Sequence, residues 1–152
     1  MIVIVCLDTA CGMMFAHRRL SRDCEVTRRI QTICKGKKLW MNSYSARLYG
    51  DLKETHVLVK EDFLSYAKKG EFCLVETTQL AFLEAEIEGI YIFWWNRAYP
   101  ADLHFDLDLA KWKKSRRCEF PGSSHDLITE EYYIRNGEKN EKNMETIYHT
   151  NS

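Results

Sequence analysis

Asp23 stands immediately before the apolar-periodic stretch that starts at Cys24. A short carboxylate there can cap a helix or, on a cleft wall, hold an amidine-like group through paired hydrogen bonds. His104, Asp106 and Asp108 alternate with Leu103, Phe105, Leu107 and Leu109. On a strand they would share one face about 7 Å apart, a spacing open to a divalent ion but equally that of any half-exposed strand. Ser123-Ser124-His125-Asp126 holds the residue types of a hydrolytic triad, yet neighbours on a turn do not orient one another as nucleophile, base and acid, so a turn is expected. Two basic clusters could hold phosphates: Arg18, Arg19, Arg22, Arg28, Arg29, Lys35, Lys37 and Lys38, and then Lys111, Lys113, Lys114, Arg116 and Arg117 around Trp112. Residues 51–108 counter them with twelve acids against five bases, which favours salt bridging over a nucleic-acid role.

The whole chain has 152 residues and a formal net charge of +0, so nothing global draws it to nucleic acid or anionic membrane. With 45% hydrophobic residues it can bury a core, and its length suits one domain. The apolar run 1–7 is broken by Asp8, too short for a signal-peptide core or a membrane span, so a cytoplasmic protein is expected. There the six cysteines, none in a CxxC pair, would be reduced thiols buried as small hydrophobes, and no metal site is expected. The five histidines are dispersed, unlike the HxHxDH cluster of two-zinc hydrolases.

Positioning such residues requires elements, and the hydrophobic period gives them in alternation. Residues 2–7 are a continuous apolar run, expected of a strand covered on both faces. Val26, Ile30, Ile33 and Cys34 recur at helical spacing over 24–34, with Asp23 to cap the start and Gly36 the end, and all three branched residues should be buried. Strands follow at 39–41, 56–59, 72–75 and 90–95, and helices at 44–49, 62–69 and 80–87. After Pro100 the 103–109 alternation reads as a strand with one wet face, and 116–120 with 127–135 as an antiparallel hairpin. The expected architecture is a three-layer α/β domain over 1–135 with a mostly parallel central sheet edged by that hairpin, followed by a polar, frayed tail at 136–152.

This order resembles the dihydrofolate reductase fold over residues 1–135. Val5-Cys6-Leu7-Asp8-Thr9-Ala10-Cys11-Gly12-Met13 is similar to the family's first strand and substrate-covering loop. Asp23, eleven residues after Gly12, falls close to the family's pterin-binding carboxylate. Leu39-Trp40-Met41-Asn42-Ser43-Tyr44-Ser45 resembles the second strand and the helix start that receives cofactor phosphate. The segment from Ile90 to Tyr99 is similar to the strand carrying the Gly-Gly pair, and 112–135 resembles the closing hairpin.

The departures fall on the cofactor. Trp94-Trp95 stand where the family has adjacent glycines, and Asn42-Ser43 stand where it has Gly-Arg, so a guanidinium able to hold phosphate bidentately is missing. The Pro-Trp expected after the first loop is replaced within His17-Arg18-Arg19-Leu20. The reading that follows is a reductase scaffold with a filled nicotinamide site and no cofactor, acting as a small-molecule or protein binding module, its cleft lined by Asp23, Ser45, Trp94, Trp95 and Tyr99. One indole should enter the layer beneath a helix and the other face the cleft, because strand neighbours point to opposite faces. The alternatives are an NAD(P)H-dependent reductase of a pterin or related heterocycle, with NADPH as its cofactor, and an RNA-binding or RNA-processing protein using Arg18, Arg19, Arg22, Lys111, Lys113 and Arg116.

Overall fold

The apolar run Ile2–Leu7 (β1) lies inside a seven-stranded sheet, in a computed structural model that describes residues 1–137; the tail expected at 136–152 thus falls almost wholly outside the described residues. Two short strands, Gly12–Phe15 (β2) and Arg18–Arg19 (β3), follow, and then the helix Cys24–Ile33 (α1). Next come Lys38–Met41 (β4), Ser43–Tyr49 (α2), His56–Val59 (β5), Phe72–Leu74 (β6) and Gly89–Trp94 (β7). The chain continues with Leu103–His104 (β8), Trp112–Phe120 (β9) and Ile128–Arg135 (β10).

The large sheet has the order β5-β4-β6-β1-β7-β10-β9. Its first five strands pair in parallel and β10 closes antiparallel on both β7 and β9, which is the expected mixed sheet with its C-terminal hairpin. Parallel strands need both faces covered, and the two clusters of buried side chains supply that cover. One face packs Val26 and Ile30 of α1 and Tyr49 of α2 against Ile4, Met41 and Phe93. The other packs Val3, Val5 and Ile92 under Met13, Met14, Phe63, Leu80, Phe105 and Leu107.

Helix α1 matches its sequence signature closely. Asp23 caps it by accepting from the Glu25 N–H at 2.9 Å, Gly36 turns the chain beyond its end at φ +71, and Val26 and Ile30 are fully buried. Ile33 is only half-buried, because it borders a cavity of ≈ 410 Å³ between α1 and the sheet that also touches Arg29, Tyr91 and Glu130.

Three expected elements shorten. Residues 62–69 form one 3₁₀ turn, Phe63–Ser65, that drops Phe63 into the core, and 80–87 form a 3₁₀ segment, Ala81–Glu86, instead of an α-helix. Residues 103–109 keep a strand only at Leu103–His104, since Asp106 accepts from the Leu80 and Ala81 N–H groups and Asp108 from Ala110 N–H. Those carboxylates are loop acceptors, and no group of His, Cys, Asp or Glu among the described residues could hold a metal ion. The strand β8 instead joins β2 and β3 in a second sheet, of order β3-β2-β8. No described helix is long and apolar enough to cross a membrane.

Candidate functional site

The carboxyl ends of parallel strands are where open α/β sheets present ligand-binding groups, and two clusters of bonded polar side chains lie there. Asp23 is 4% exposed at the head of α1, facing the turn between β9 and β10. Its Oδ1 accepts from the backbone N–H groups of Glu25 (2.9 Å) and Ser123 (3.0 Å) and from the Ser123 hydroxyl (3.1 Å). Its Oδ2 accepts from Ser124 N–H (2.8 Å) and His125 Nδ1 (3.0 Å), while the Ser124 hydroxyl, 3.1 Å from Oδ2, has its nearer acceptor in Arg22 O at 2.9 Å. Burial alone would raise this carboxyl, but the Ser123 and Ser124 N–H groups, the His125 ring and Glu25 N–H outweigh it and hold the acid well below the ordinary carboxylate range. Gly122 lets the turn come this near: a Cβ there would sit 2.5 Å from Asp23 Oδ2.

Because an ionised carboxylate only accepts, His125 Nδ1 carries the hydrogen, and in the neutral ring Nε2 is left as an acceptor. Two hydroxyls reach it, Ser21 Oγ at 3.0 Å and Tyr99 at 3.2 Å. Ser21, His125 and Asp23 thus follow the order of a hydrolytic triad. Asp23 has four further donors, however, and Nε2 is shared between two hydroxyls, which is the wiring of a structural lock. The Trp95 ring lies on His125, centroids 4.7 Å apart and planes at 21°, and both residues are buried. Asp8 ties in the remaining edge: its carboxylate accepts from the N–H groups of Ala10, Gly12 and Tyr99, which overcome the effect of burial and lower its pKa.

A second polar cluster lies towards α2. Arg19 forms a two-point pair with Glu76 (2.9 and 3.0 Å), and Ser45 donates to the same carboxylate at 2.8 Å. The Arg19 guanidinium also lies over the Tyr44 ring at 4.6 Å. Cys6 is beneath this cluster, its thiol pushed far up by burial and by Glu76. At the head of α2, Asn42 accepts from Ser45 N–H while Glu61 accepts from both the N–H and the hydroxyl of Ser43, at 3.0 Å each. A carboxylate therefore occupies the helix start, where an anion would otherwise be favoured.

Of the five residues named for a cleft, the fold unites Asp23, Trp95 and Tyr99 around His125. Ser45 belongs to the Arg19–Glu76 cluster. Trp94 points to the opposite face, as strand alternation requires, where its indole N–H donates to Glu131 at 2.6 Å. His125 was read only as part of a turn, and Ser21, Glu76 and Glu61 were missed; they are far from their partners in sequence, and the strand order brings them together. In the basic clusters Arg19 is committed to Glu76, Arg29 to Glu130 (2.7 Å) and Lys114 to Glu131 (2.8 Å). Arg18, Arg22, Lys111, Lys113 and Arg116 are exposed.

A groove of ≈ 300 Å³ opens past the ends of β4, β5 and β6, between Asn42, Glu61, Asp62, Phe63, Leu64 and Ser65 on one side and Thr77, Thr78, Phe82 and Leu83 on the other.

No family model matches the sequence and no curated protein matches it either. Among solved structures the chain is similar to dihydrofolate reductase from Enterococcus faecalis complexed with NADP(H) and RAB-propyl. The two share a TM-score of 0.63 at 14% identity, over 90% of this chain and 96% of that one. The chain has the dihydrofolate reductase-like fold.

Proposed function

We propose that this chain is a non-reductase protein on a dihydrofolate reductase-like scaffold, one that takes up neither a pterin nor NADPH and serves as a binding module for a small molecule or protein. The observation that carries this reading is the saturation of Asp23. The carboxylate that the resemblance puts near the family's pterin position accepts five hydrogen bonds from its own chain, and a ligand would have to displace the 122–125 turn to reach it. Losing hydrogen bonds to a buried charge costs about 1.5–3 kcal/mol for each one left unreplaced. On the cofactor side, Trp95 fills the space beside β7, and Glu61 puts a negative charge where phosphate would go.

Isothermal calorimetry with NADPH tests the proposal. No heat of saturable binding is expected at physiological cofactor concentration, and dihydrofolate should give no NADPH oxidation. Trp94→Gly/Trp95→Gly should remain inactive, because Asn42-Ser43 still lack the arginine and Glu61 still covers the helix start. Tight binding of NADPH by the unmodified protein overturns the proposal in favour of the reductase reading.

A further inference from the structure

We infer that the groove past the ends of β4, β5 and β6 is a binding site for a small organic cation with a flat apolar body, such as an arylalkylamine. Phe63 and Leu64 line it on one side and Phe82 and Leu83 on the other, with the hydroxyls of Ser65, Thr77 and Thr78 among them. Phe82 is 73% exposed, the most exposed of the large hydrophobic side chains in the described residues, and leaving an aromatic ring in water at a cavity edge is what a stacking ligand would relieve.

Charge sets the ligand's sign. Both ionisable residues that line the groove, Glu61 and Asp62, are acidic, and both are exposed. The nearest base in sequence, Lys60, lies over the Tyr66 ring at 4.6 Å, outside the lining. Glu61 is fixed by Ser43, so its charge is held at the rim, and among the described residues no cation pairs with it there. A phosphate or carboxylate ligand would meet two like charges, whereas an ammonium or amidinium would meet attraction at one end and an apolar wall at the other.

The floor is firm enough to be a site. Asn42 Nδ2 donates to Thr77 Oγ1 at 2.8 Å, linking the ends of β4 and β6, and Asp106 pins the start of the Phe82 segment through two N–H groups. The volume suits a ligand of roughly ten heavy atoms, for which a dissociation constant on the order of 1 mM is reasonable.

Phenethylamine is the probe, followed by two-dimensional NMR of the full chain. Saturable shifts are expected at Thr77, Thr78, Phe82 and Leu83, weakening as salt is raised. Phe82→Ala and Asp62→Asn should each weaken binding at least about threefold, a change of ~0.7 kcal/mol; both side chains are exposed, so folding should survive. Phenylethanol should bind more weakly than the amine, and adenosine monophosphate should not compete. Equal binding of the alcohol, preferential binding of the phosphate, or no saturation by about 10 mM amine overturns the inference. Shifts of Phe82 that depend on protein concentration without amine would make a second copy of the chain the occupant and overturn it equally. None of these readouts depends on whether NADPH binds.

Discussion

At the ends of β1 and β7 the chain spends its own donors on Asp23, whereas at the ends of β4, β5 and β6 it leaves an aromatic side chain and two acids around open space. The same sheet edge carries both. The first region is held by hydrogen bonds between segments about a hundred residues apart, with Gly122 at a point where a Cβ would collide with the Asp23 carboxylate. The second is bounded by short 3₁₀ turns, whose side chains divide between the core, as Phe63 does, and solvent, as Phe82 does. A polar pocket at one set of strand ends can thus be closed by a loop while neighbouring strand ends stay open, and fold likeness alone supplies no activity.

The contrast is broken most strongly at its closed end. Asp23→Ala removes a helix cap and the shared acceptor of the 122–125 turn, depriving His125 Nδ1 of its carboxylate, and should cost about 3–5 kcal/mol in chemical denaturation. Trp95→Ala, which leaves a cavity beside His125, should cost about 3–4 kcal/mol by the same measurement. Gly122→Ala forces a methyl group onto the Asp23 carboxylate and should lose about 1–3 kcal/mol, with His125 more exposed to solvent by NMR. If these variants retain wild-type stability, the turn does not hold Asp23. In the groove, Phe82→Ala should change stability by less than about 0.5 kcal/mol, because its ring is already exposed.

Acid sharpens the comparison further. Asp23, Asp8 and Glu131 all have folded pKa values below their ordinary ones. Their contribution is fully present above the ordinary carboxylate range and is lost as pH falls through the folded values, since the unfolded chain then binds more protons. Thermal unfolding should therefore move to lower temperature below about pH 4, with a shallower slope in Asp23→Asn, which has one fewer linked proton. An unchanged slope would mean that Asp23 is solvated like a surface acid.

Regular elements were legible because their causes are local. The unbroken run Ile2–Leu7, the spacing of Val26 and Ile30 behind Asp23, and the alternation of strand and helix each follow from side-chain period and capping. The β2–β3 hairpin was not legible, since its two-residue loop is Ala16-His17, both at positive φ, where Asn-Gly would have announced it. The segments 62–69 and 80–87 have helix-compatible composition, but burying Phe63 and capping by Asp106 tighten them into 3₁₀ turns. In the site, Asp23 and the opposite orientations of Trp94 and Trp95 could be read from position and period. The His125 and Glu76 partnerships could not, because they depend on which loops the sheet order makes neighbours.

Titration with dihydrofolate, followed through the His125 ring and the Trp95 indole by NMR, tests the central claim most directly. Both signals report on the space beside the Asp23 carboxylate. The account predicts that neither moves at millimolar ligand, because the 122–125 turn already donates to both oxygens of Asp23. Saturable shifts at both residues, abolished in Asp23→Asn, would show the turn opening to admit a pterin and would contradict it.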